Sequence, residues 1–145
     1  MAALNERLLN ALANVDDSRS VEELMADIQK RTSAGSRMVR GLRPWAEDKE
    51  LFAAVNHGDF LINGFRNRDV QKLLYGAEAE SSSERQRRSA AVSRKLRSLR
   101  AHGLIQKVPH THRYHVSAAG RAILIAVLTT AQTSVKQLNQ LVKAA

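Results

Sequence analysis

Residues 96–121 read LRSLRAHGLIQKVPHTHRYHVSAAGR, and this stretch sets the expected fold. Leu96 and Leu99 close an apolar stripe that begins at Val92, with spacings of four and three that mark one face of a helix. Gly103 follows where a helix calls for a left-handed C-terminal residue, a conformation that glycine enters without a Cβ clash. Residues 104–108 and 113–116 then read as two strands joined by Pro109-His110-Thr111-His112. Ser117 is placed to cap a final helix running from Ala118 to about Val142.

Upstream, Ser81-Ser82-Ser83-Glu84 is a capping-box pattern and opens a helix expected over 83–102. Before it, a helix is predicted from Asn67 as cap to Gly76, with Val70, Leu73 and Leu74 inward. Phe60-Leu61-Ile62 reads as a small edge strand, and 46–56 as a helix with Glu47, Asp48 and Glu50 in its first turns, where the macrodipole favours carboxylates. Residues 36–45 read as a connector, with Met38, Val39 and Leu42 in a short extended piece. Ser20-Val21-Glu22-Glu23 is another capping box; its helix carries Leu24, Met25 and Ile28 until Thr32-Ser33-Ala34-Gly35 breaks it. Leu4, Leu8, Ala11, Leu12 and Val15 predict one more amphipathic helix.

The order of helix, short strand, helix, turn, helix, two-stranded ribbon and helix resembles the winged helix-turn-helix fold. Leu99-Arg100-Ala101-His102-Gly103-Leu104-Ile105 looks like a recognition helix turning into a wing, and Arg113-Tyr114-His115-Val116-Ser117 with Gly120-Arg121 looks like the returning strand and next helix. In these motifs the chain is similar to MarR-like and related bacterial regulators, over about two thirds of its length. The expected class is thus mainly α with a small β-ribbon, with additional N-terminal helices and a long C-terminal helix. The divisions implied are 1–45 as a helical extension, 46–120 as the winged-helix domain and 121–145 as a dimerising helix. One departure is the turn 76–82, longer than the three or four residues of a compact helix-turn-helix.

Charge gives an independent reason to expect a polyanionic partner. All 14 acidic residues lie at or before Glu84, while residues 85–145 hold 12 Lys or Arg and no acid. The first 84 residues carry a formal −3, the rest +12. A surface that needs only to be solvated mixes both signs, whereas a one-sided excess is the footprint of nucleic acid or another polyanion. Stepping about 100° per residue from Val92 sets Arg87, Ala90, Arg94 and Arg97 opposite the buried stripe, with Ala91 and Ser98 on the flank. Guanidinium groups between small side chains suit close approach to a groove, bidentate bonds to guanine and planar pairing with phosphate. A charge run is commonly the solvated side of a helix; here the missing acids at the spacing of four that stabilises helices argue against that. Lys107, His110, His112 and Arg113 fall on the wing, and Arg66 and Arg68 beside the preceding helix, where phosphate contacts are expected.

The expected function is therefore sequence-specific binding of double-stranded DNA in transcriptional regulation, through the helix 83–102 and the wing 104–116. The competing readings are a winged-helix module for RNA or protein docking, or the C-terminal part of a larger DNA-associated protein. No enzyme is expected: no Ser-His-Asp spacing, phosphate-cradling glycine loop or metal triad occurs. Cysteine is absent, and His110, His112 and His115 have no acid in their half of the chain to complete a ligand set, so neither metal nor cofactor is expected. Residues 1–10 include Asn5 and Glu6 rather than an apolar leader, which sets a cytoplasmic expectation without membrane contact. Finally, Leu124, Leu128, Ala131, Val135, Leu138 and Val142 alternate spacings of four and three, a heptad seam expected to pair two copies into a homodimer.

Overall fold

The computed structural model describes residues 20–132, and every structural statement below concerns those residues. They form a mixed α/β arrangement of six helices and two small antiparallel sheets. Helix α1 (Val21–Ile28) starts as its sequence dictates: Ser20 Oγ accepts the Glu23 N–H at 3.2 Å, and the Glu23 carboxylate accepts the Ser20 N–H at 2.9 Å. Its Leu24, Met25 and Ile28 are buried.

A hairpin follows: its second strand takes in Met38 and Val39 of the expected extended piece, while its first lies where Thr32-Ser33-Ala34-Gly35 was expected only to break the helix. Strands β1 (Thr32–Ala34) and β2 (Arg37–Val39) pair Thr32 with Val39, Ser33 with Met38 and Ala34 with Arg37. Gly35, at φ +64°, opens the two-residue turn between them. Helix α2 (Lys49–Val55) is shorter than the span 46–56. The reason lies in Asp48: its carboxylate takes the Arg43 N–H and the Arg40 guanidinium, so 43–48 closes as a turn before the helix begins. Only Glu50 remains as an acid in the first turn.

Phe60-Leu61-Ile62 is not a strand. It belongs to the single-turn helix α3 (Phe60–Asn63), in which the Gly64 N–H bonds back to the Phe60 carbonyl. Of its apolar residues only Phe60 packs against the core, while Ile62 is 92% exposed, so no sheet face demands this run. The strand is the next pair, β3 (Phe65–Arg66). Helix α4 (Asn67–Tyr75) buries Val70 and packs Leu74 on the core, but Leu73 is 44% exposed rather than inward. Asn67 is the first helical residue, not the cap; Asp69 accepts the Arg66 N–H, and the Asn67 side chain is used elsewhere.

Helix α5 (Ser82–Ala101) buries the expected stripe Val92, Leu96 and Leu99, and Gly103 follows it at φ +77°. Strands β4 (Ile105–Lys107) and β5 (Arg113–Val116) form the ribbon, with β3 added on its far side in the order β3-β5-β4. Phe65 lies opposite Tyr114, their rings stacked at 5.9 Å, and Phe60 leans on Phe65 at 5.3 Å. Helix α6 (Ala118–Gln132) is capped by Ser117, whose Oγ accepts the Gly120 N–H. One core joins all of this: Leu24, Ile28 and Leu42 from the N-terminal part cluster with Phe52, Phe65, Leu96, Leu104 and Leu124.

Candidate nucleic-acid interface

The outward face of α5 is built by what holds its two sides. At its start Ser81 Oγ accepts the Glu84 N–H at 3.1 Å, while the Glu84 carboxylate accepts the Glu80 N–H at 2.9 Å, one residue earlier than in a capping box. That carboxylate also binds Arg88 at 2.7 Å, and Arg88 in turn donates to the Ala77 carbonyl and lies 4.6 Å over the Tyr75 ring. The Glu80 N–H, and then Arg88, hold the Glu84 carboxyl below its ordinary value against a small opposing effect of burial. The only acid of α5 is thereby consumed in closing the long turn 76–82.

Beyond that clasp the helix is uncompensated. Arg87, Ala90, Arg94 and Arg97 are exposed on one face, as their spacing predicts. Among the described residues Arg94 and Arg97 make no ion pair, and Arg87 has only the field of Glu84 nearby. Ala91 and Ser98 are half-buried, because the β1–β2 hairpin lies beside them. On the opposite flank Asn67 donates to the Ser89 carbonyl at 3.0 Å and to Ser93 Oγ at 2.8 Å, bracketing α4 to α5.

The predicted phosphate contacts separate into three groups. Arg66, Arg68 and His112 line one groove with Asn67, Ser89 and Ser93, between the start of α4, the side of α5 and the ribbon. Lys107 and His110 are exposed on the outer strand and turn of the ribbon, His110 at φ +59°. Arg113 is partly committed: its guanidinium donates to the Asn63 carbonyl at 3.1 Å, tying the ribbon to α3. Thr111 shapes the ribbon turn by donating to the Val108 carbonyl and accepting the Arg113 N–H.

His102 and His115 serve separate local partners. His115 meets the Gln106 side chain at 3.1 Å, His102 meets the Arg40 carbonyl at 3.0 Å, and among the described residues no three His, Cys, Asp or Glu gather as a ligand set. Nor is any described helix long and apolar enough to cross a membrane.

Of the expected seam, Leu124 is fully buried in the core of its own chain and so cannot face a second copy. Its neighbours Ala122, Ile123, Ile125 and Val127 are buried with it, where α6 packs on α1 and α2. Leu128 is half-buried, and Ala131 continues the helix. Val135, Leu138 and Val142 lie outside the described residues, as does the helix expected over 4–15.

What sequence reasoning missed is the basic character of the hairpin. Arg37 and Arg40 line a groove with Arg94, Lys95 and Arg97 of α5. The signal was present in Thr32-Ser33-Ala34-Gly35-Ser36-Arg37-Met38-Val39, two short strand-like triplets around a Gly-Ser turn. No known family, no curated protein and no solved structure matches the chain.

Proposed function

We propose that this chain binds double-stranded DNA as a winged-helix protein, reading a site with α5 and touching the backbone with the β4–β5 ribbon. One observation carries the reading. Arg87, Arg94 and Arg97 lie exposed on a single helical face, and the only acid on that helix is already bound to Arg88. Exposed arginine without a carboxylate neighbour is poised for phosphate and guanine, both of which bind the guanidinium through two parallel bonds. The groove holding Arg66, Arg68 and His112 supplies cations on the ribbon side of the same helix. Transcriptional regulation by a homodimer is the role proposed for such a reader, since paired reading heads strengthen binding to paired half-sites.

The test is a fluorescence-anisotropy titration of a labelled random-sequence duplex at several salt concentrations. Binding is expected to weaken linearly in log–log form, with a slope of about −0.9 for every phosphate neutralised. Duplex DNA should compete better than single-stranded RNA, whose recognition rests on stacking platforms. Equal or better competition by the RNA overturns the DNA assignment. Absence of binding in dilute buffer overturns the nucleic-acid reading altogether. Selection of bound fragments from a genomic library then gives the preferred site.

A further inference from the structure

The hairpin beside α5 has a place that the winged-helix resemblance does not provide. Its register sets Thr32 opposite Val39 and Ala34 opposite Arg37, so these four side chains share one face. Thr32, Ala34 and Val39 are half-buried, and β1 packs against α5, so that face is turned toward the helix. Arg37 stands on the same face at the turn end, where cover runs out; it is exposed and lines the groove with Arg94 and Arg97.

Charge in this groove is far out of balance. Arg37, Arg40, Arg94, Lys95 and Arg97 line it together with one carboxylate, Asp48. That carboxylate is already taken, with both oxygens on Arg40 at 2.9 Å and one also on the Arg43 N–H at 2.7 Å. Arg37 has no ion pair among the described residues. Gathering like charges along one groove costs energy unless a polyanion lies in it.

The hairpin is also tied to its neighbours. The Arg40–Asp48 pair fastens its second strand to the start of α2, the His102 ring meets the Arg40 carbonyl at the end of α5, and the Leu42 N–H bonds to the Ile28 carbonyl at 2.7 Å. A cation presented on a fixed strand loses little freedom on binding.

We infer that the β1–β2 hairpin is a second backbone clamp, with Arg37 binding a phosphate of the same DNA that α5 reads, on the side of the helix away from the ribbon. The inference rests on the DNA reading above. It implies that α5 is flanked by two ribbons and that the protected stretch of DNA is wider on one side than a single wing gives.

Arg37→Ala and Arg94→Ala, each on the full chain, separate the two ideas. The probes are the random duplex and the site selected from the genomic library. Arg37→Ala is expected to weaken both duplexes alike, to reduce the salt slope by about 1 and to remove hydroxyl-radical protection at one edge of the site. Its thermal unfolding should match wild type, since Arg37 is exposed. If Arg94→Ala weakens binding while Arg37→Ala leaves affinity, slope and footprint unchanged, the clamp is overturned and the DNA reading stands. If the wild-type chain binds no duplex, both fall together.

Discussion

Arg94 occupies the middle of the outward face of α5, between Ala90 and Arg97, and has no partner of its own among the described residues. If the proposed DNA reading holds, a side chain in that position contributes sequence preference as well as attraction. Arg94→Ala is therefore expected to cost about 1–3 kcal/mol of affinity and to relax preference at one base pair. Titrating the selected site against its single-base variants checks this; unchanged selectivity would show that another face does the reading. Asp48 acts at the same scale but on stability. Burial pushes its carboxyl upward, yet the Arg40 hydrogen bond, the Arg43 N–H and the positive field of Arg40 and Lys95 outweigh that and hold it below the ordinary value. A depressed carboxyl stabilises the fold above its unfolded value of about 4, and the contribution is lost as pH falls through the folded value. Asp48→Asn should cost roughly 1–3 kcal/mol at neutral pH, a range set by hydrogen bonds to charged groups and tempered by the half-exposure of Arg40. It should also flatten the acid limb of the stability curve. Urea melts of both proteins at neutral pH and near pH 3 measure it, and an unchanged gap between the two proteins would contradict the assignment.

Among elements, those legible in the sequence were the ones whose residues satisfy themselves locally. The box at Ser20 and Glu23, the stripe Val92-Leu96-Leu99 and the Ser117 cap all stand as their spacing implied. Elements that depend on a distant partner were misread. Phe60-Leu61-Ile62 has the composition of a strand, but sheet pairing is decided by β5, and Tyr114 takes Phe65. Of the hairpin at Thr32–Val39 only the extended character of Met38 and Val39 was legible; the pairing was hidden because its triplets are short and show no alternation. For the candidate site, spacing alone placed Arg87, Arg94 and Arg97 outward; it could not say that the hairpin would cover Ala91 and Ser98 or that Arg113 would bind the Asn63 carbonyl. Gly120 shows how a motif residue acquires its reason in three dimensions. A Cβ there would collide with the carbonyl of Leu104, which accepts the Ser117 N–H at the junction of ribbon and α6. Gly120→Ala should destabilise the fold by about 1–3 kcal/mol through forced repacking. A thermal or urea midpoint equal to wild type would mean that this junction yields more easily than its geometry implies.

For the whole molecule, the apolar surface of α6 decides how much of the proposed homodimer seam is left for a second copy. Leu124 and its buried neighbours are already used, in the core shared with α1 and α2. The proposed self-association would then run through Leu128 and the positions that continue its spacing, Val135, Leu138 and Val142. The two halves of the expected seam should therefore respond differently to the same change. A charge at Leu124 would enter a closed core and unfold the chain, since an unpaired buried carboxylate is among the costliest substitutions. A charge at Leu138 should leave the fold intact and separate the copies. Light scattering of Leu138→Asp is expected to give the monomer mass, with far-ultraviolet circular dichroism near that of wild type. Binding to paired half-sites should weaken while binding to one half-site holds, because a pair of heads gains from effective concentration and a single head does not. A mass equal to wild type would reject the seam: a shared dimer mass would put the pairing on another surface, and a shared monomer mass would leave each chain to bind alone.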